Sequence, residues 1–113
     1  MHELSIVQDL FKLCETNAMQ NASKQICKIE IQIGRLSGVE PYYLKNAFDA
    51  FKIGTICADA ELLIQIQDIM IECADCGFNS YIELDEFLCP NCKSKNIKVT
   101  AGEDILLMRL EMI

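Results

Sequence analysis

Two close pairs of cysteines, Cys73-x-x-Cys76 and Cys89-x-x-Cys92, constrain this chain more than any other feature. Two residues between paired cysteines let one tight turn bring both sulfurs to the same ion. Four thiolates then meet the tetrahedral preference of zinc without strain. Gly77 relaxes the first turn and Pro90 stiffens the second. Rubredoxin-type iron is the rival metal, because tetrahedral sulfur suits it as well. A thioredoxin-like reading fits less well: it needs one motif opening a helix, and here two motifs face each other across a hairpin. The segment 73–102 is too short for a large core of its own, so its metal is expected to be structural.

The flanking sequence carries a different pattern. From His2 to Gln20, Leu4, Val7, Phe11, Cys14 and Ala18 recur at helical spacing, with Asp9, Lys12, Glu15 and Thr16 on the other side. Asn21 to Ser23 reads as a turn. Ile29, Ile31 and Ile33 then alternate with Glu30 and Gln32, which is strand periodicity. Glu40-Pro41 marks the start of a second helix, because proline at the first helical position loses no needed N–H. Leu44, Ala47, Phe48 and Phe51 would line its packed face, with Gly54 closing the end. Leu62, Ile64 and Ile66 form a second strand pattern, and Leu106, Met108, Leu110 and Met112 a third.

The order is helix, strand, helix, strand, cysteine insert, strand. The expected fold class is α+β: two helices packed on a small three-stranded sheet, with an inserted four-cysteine zinc-ribbon subdomain. The expected division is 1–72 plus 103–113 for the α/β domain and 73–102 for the insert.

Composition narrows the function. An apolar fraction of 51% supports a real core and argues against disorder. No early segment reads as a signal peptide, and no apolar run has the length of a membrane span, so a soluble cytoplasmic protein is expected. Seven cysteines in a reducing compartment then point to metal or redox chemistry instead of disulfides. The net charge of −7 disfavours nucleic acid as a partner. Within 73–102, Lys93, Lys95 and Lys98 face Asp75, Glu83, Asp85 and Glu86, and zinc with four thiolates adds two more negative charges. Cys14 reads as a small core residue. Cys27 and Cys57 lie near element ends, and a second metal site built from these three stays an open alternative. Nothing resembles a nucleophile–base pair, so catalysis is not expected.

The chain holds a single histidine, His2. Met1 should persist before so large a residue. That sets a free amine, the His2 amide nitrogen and the His2 imidazole on adjacent atoms, with the Glu3 carboxylate beside them. Nitrogen-rich donors of this kind favour Ni(II) or Cu(II). An amine of pKa about 7.7–8.0 can release its proton to a metal near neutrality. A solvated terminus is the alternative.

The start Met-His-Glu-Leu-Ser, the "IGRLSGVEP" of Ile33–Pro41, the Phe48–Phe51 stretch and the position of the insert resemble the HypA/HybF family across essentially the whole chain. These are small metallochaperones that supply nickel to the maturing [NiFe]-hydrogenase. The resemblance implies nickel at His2 with the Met1 amine and backbone nitrogens, supported by Glu3, and structural zinc at Cys73, Cys76, Cys89 and Cys92. Some members carry an acidic residue near the nickel at the start of the second helix, and Glu40 matches by position. The implied partners are a HypB-type GTPase and the hydrogenase large-subunit precursor, with urease maturation proteins in some bacteria. Some relatives have histidines near the zinc cysteines; this sequence has none. Without the resemblance, a zinc-ribbon module for proteins or nucleic acid and a rubredoxin-like electron carrier are the rivals.

Overall fold

The computed structural model describes residues 3–113. The elements run α1 (Glu3–Gln20), β1 (Ile26–Gly34), α2 (Pro41–Phe51), β2 (Glu61–Gln67), β3 (Ile69–Cys73), β4 (Asn79–Ile82), β5 (Ile97–Ala101) and β6 (Ile105–Met112). Two sheets of three strands form, ordered β2-β1-β6 and β4-β3-β5. The fold class is α+β, with two helices and the three strands that the alternating patterns mark. Strands β3, β4 and β5 are additional to those patterns.

The chain divides into two compact units. The first holds the chain up to Ile31, Val39–Gln65 and Leu106–Ile113; the second holds Gln32–Gly38 and Ile66–Ile105. In the first, the apolar stripe of α1 buries Val7, Leu10, Phe11, Cys14 and Ala18. Phe11 meets Phe48 of α2 with ring centroids 5.5 Å apart, a spacing typical of favourable aromatic pairs. Pro41 occupies the first turn of α2, and the Glu40 carboxylate accepts a hydrogen bond from the Tyr42 N–H. Phe51, expected on the packed face, closes the helix and is more than half exposed. Gly54 sits two residues beyond the Lys52 cap with a φ of 84°.

In the second unit, β3 pairs antiparallel with β4 and β5. Ile69, Ile71 and Ile82 form its buried core, with Leu36, Ile97 and Val99 against it. The segment after β1 is tied into this unit through the backbone: Gly34 N–H donates to Asp104, Arg35 to Gln67 and Leu36 to Gly102. Arg35 also forms an ion pair with Asp68. No helix among the described residues is long and apolar enough to cross a membrane.

Candidate metal centre

Cys73 ends β3, and the other three cysteines lie in the turns on either side of β4. Folding brings all four sulfurs within 4.8 Å of one another. Cys73 and Cys92 are 3.6 Å apart, as are Cys76 and Cys89. Zinc–sulfur bonds of about 2.3 Å in a tetrahedron imply sulfur–sulfur separations of about 3.8 Å. The donor set and its spacing are therefore compatible with a zinc site. Cys73 and Cys89 are buried, whereas Cys76 and Cys92 are exposed.

The two CxxC turns repeat each other bond for bond. Gly77 N–H donates to the Cys73 carbonyl at 2.9 Å, and Lys93 N–H donates to the Cys89 carbonyl at 2.8 Å. Cys73 N–H returns to the Phe78 carbonyl, and Cys89 N–H to the Ser94 carbonyl, each at 2.9 Å. The Phe78 and Ser94 amides point at the Cys76 and Cys92 sulfurs. Each turn closes through a residue in the left-handed region, Gly77 at φ 75° and Lys93 at φ 64°. Gly77 adopts this conformation at no steric cost; Lys93 does not.

These bonds set Cys76 and Cys92 apart in acidity. The Asn91 amide and the Phe78 N–H stabilise the Cys76 thiolate, with the Cys92 and Cys89 thiols adding to them, and lower its pKa to about 6. The Ser94 N–H also favours a Cys92 thiolate. There, desolvation and the Cys73, Cys76 and Cys89 sulfurs prevail and push the pKa up to about 12. A dication removes this conflict, because it neutralises the charge that the neighbouring sulfurs resist. Behind the site, the Asp75 carboxylate accepts from the Ser94 hydroxyl and from Asn96 Nδ2. Ser94 Oγ in turn accepts from the Asn96 N–H at 3.0 Å. Asp75, Ser94 and Asn96 tie one cysteine turn to the other, a role that their sequence positions did not announce.

The other predicted site residues have separate roles. Met1 and His2 lie outside the described residues. Glu3 is the first residue of α1 and half-buried, a favourable place for a carboxylate beside helix N–H groups. Glu40 is exposed and caps α2. Cys14 and Cys57 are both fully buried free thiols joined by a side-chain hydrogen bond. Contact with Cys57 and burial hold the Cys14 thiol well above its ordinary range, so it stays protonated. No second group of three or more ligating side chains forms among the described residues.

The family model described as hydrogenase/urease nickel incorporation, metallochaperone, HypA matches residues 1–112. The chain belongs to the HypA family. A hydrogenase maturation factor HypA of Shewanella baltica (strain OS185) is 46% identical over 112 residues, covering 99% of this chain and 96% of its own. That of Aquifex aeolicus (strain VF5) is also 46% identical, over 99% and 97%. The solution structure of the nickel metallochaperone HypA from Helicobacter pylori matches with a TM-score of 0.74 at 35% identity, covering 100% of this chain and 98% of that one.

Proposed function

We propose that this chain is a nickel metallochaperone that binds Ni(II) at its N-terminus and delivers it for maturation of [NiFe]-hydrogenase, and in some settings of urease. One observation carries the reading: a HypA-family chain has a four-sulfur cluster complete without imidazole, which leaves its one histidine for another metal. His2 holds the nickel with the Met1 amine and backbone nitrogens. Glu3 supports the site from the first turn of α1. Glu40 belongs to the same site only if its carboxylate leaves the α2 cap.

Zinc fills the Cys73, Cys76, Cys89 and Cys92 cluster and holds the two cysteine turns together. Nickel is cargo. Nitrogen and carboxylate ligands at a chain end can be surrendered one by one to a partner, whereas four thiolates on two turns act as one rigid clamp. By ligand, nickel is assigned to 1–72 plus 103–113 and zinc to 73–102, although the compact unit that carries the cysteines begins at Ile66 and includes Gln32–Gly38. The protein acts as a carrier and not as an enzyme, in the cytoplasm, where its seven cysteines stay reduced. Its partners are a HypB-type GTPase and the hydrogenase large-subunit precursor, and where urease is made, the urease maturation proteins.

The test compares the native protein with a form bearing extra residues before Met1, which removes the free amine. Metal analysis should find one zinc in both colourless proteins. Nickel titration should show a site in the native protein that is lost or much weakened in the extended one. Equal nickel binding by both would reject the terminal site, and iron in place of zinc would revive the electron-carrier reading.

A further inference from the structure

Four of the seven cysteines form the metal cluster, and two of the others meet in the core of the first unit. Cys14 belongs to the buried stripe of α1, and Cys57 to the turns that join α2 to β2. Neither is exposed at all, and the Cys14 thiol donates to the Cys57 sulfur. Two thiols in contact can lose two hydrogens and become one disulfide. An aliphatic pair would fill the same space and offer no such reaction.

We propose that Cys14 and Cys57 are a peroxide-reactive dithiol whose disulfide clamps α1 to the turn behind α2. The Cys57 thiolate attacks a hydroperoxide: an S–O bond forms, the O–O bond breaks, and the released oxygen leaves with the Cys57 proton as alcohol or water. Cys57 is then a sulfenic acid. The Cys14 sulfur attacks it, the S–S bond forms, and the S–O bond breaks. The departing hydroxide takes the Cys14 proton and leaves as water. The two sulfurs together give up two electrons, and the peroxide O–O bond takes them. The hydrogen bond from Cys14 sets these roles. It favours a thiolate at Cys57 and lowers its pKa against desolvation, while the same contact and burial keep Cys14 protonated.

Burial means that the turn must open before peroxide arrives. Residues 53–59 lie in irregular turns held largely by short-range bonds. Thr55 Oγ1 accepts the Cys57 N–H at 3.1 Å and donates to the Lys52 carbonyl at 2.6 Å. The Ala60 N–H donates to the Cys57 carbonyl at 2.9 Å, and the Ile26 N–H ties Ile56 to β1 at 3.2 Å. Ile53 is 80% exposed and adds little packing. Such a segment opens locally while the helices beside it stay folded. The clamp then acts on α1, the helix that begins at Glu3. This inference does not rest on nickel binding.

Hydrogen peroxide added to the full-length zinc-loaded protein tests it, with free thiols alkylated after unfolding and peptides mapped by mass spectrometry. A Cys14–Cys57 cross-link should appear while zinc is still bound, lighter than the two thiol peptides by about two mass units for the lost hydrogens. Dithiothreitol should reverse it. The oxidised protein should melt about 10 °C higher, because the bond closes a long loop. In Cys14→Ala, Cys57 should stop at the sulfenic acid and be trapped by dimedone. In Cys57→Ala, Cys14 should stay a free thiol. Mapping of the native protein decides the main point whether or not either variant folds. Zinc loss before any Cys14–Cys57 cross-link forms overturns the proposal. So does dimedone capture at Cys14 in Cys57→Ala.

Discussion

The carbonyl oxygen of Gly102 lies 2.2 Å from the position that a Cβ on Gly34 would occupy. No side chain fits there, because the obstructing atoms are backbone. The Gly102 carbonyl also accepts the Leu36 N–H at 2.8 Å and cannot retreat without breaking that bond. Gly34→Ala is therefore expected to destabilise the protein by about 3 kcal/mol or more. Gly38→Ala, with open space around it, should cost only the strain of a positive φ, about 1 kcal/mol. Urea unfolding of the two variants checks the contrast, and equal midpoints would contradict it.

The matching cysteine turns differ at one position, glycine in the first and lysine in the second. Lys93→Gly should relieve left-handed strain and stabilise the zinc-loaded protein by up to about 1 kcal/mol. Gly77→Ala imposes the same strain on the other turn and should cost about 1 kcal/mol. Thermal unfolding together with zinc retention against a chelator would measure both. A loss of stability in Lys93→Gly would mean that the lysine side chain does something other than close the turn.

Ser80 Oγ is buried without a hydrogen-bond partner, on β4 opposite Ile71. A buried unsatisfied hydroxyl costs free energy and a methyl group does not. Ser80→Ala is expected to be neutral or to stabilise by up to about 1 kcal/mol. A clear loss in a denaturant melt would reveal a partner for this hydroxyl.

Asp75 contributes in a pH-dependent way. The Ser94 hydroxyl and the Asn96 amide hold its carboxyl below the usual range. A carboxyl with a depressed folded pKa stabilises the fold above its unfolded pKa of about 3.9. That stability is lost as pH falls through the lower folded value. The metal-free native protein should be more stable than Asp75→Ala at neutral pH, and the gap should narrow as pH falls below the usual carboxylate range. A gap that persists unchanged into strong acid would show that Asp75 acts by packing alone.

Short-range periodicity made the first sheet legible. The alternation of Ile29, Ile31 and Ile33 marks β1, and Glu40-Pro41 marks the start of α2. The cysteine spacing likewise announced a four-sulfur cluster, because two residues between ligands are a local constraint. Strands β3 to β5 were hidden for the same reason: each has only four or five residues, too few for a period to emerge. The contact of Gly34 with Gly102 and the Asp75–Ser94–Asn96 bridge join residues far apart in sequence, and no local pattern encodes them. The exposure of Leu106 and Met108 escaped for a further reason, since alternation marks a strand without saying what covers its edge.

Nickel titration of His2→Ala beside the native protein, both with zinc content measured, tests the central claim most directly. The account predicts that the variant keeps its zinc and its fold while its nickel affinity falls by at least about tenfold, as for loss of a metal ligand or its close support. Unchanged nickel stoichiometry and affinity in His2→Ala would contradict it.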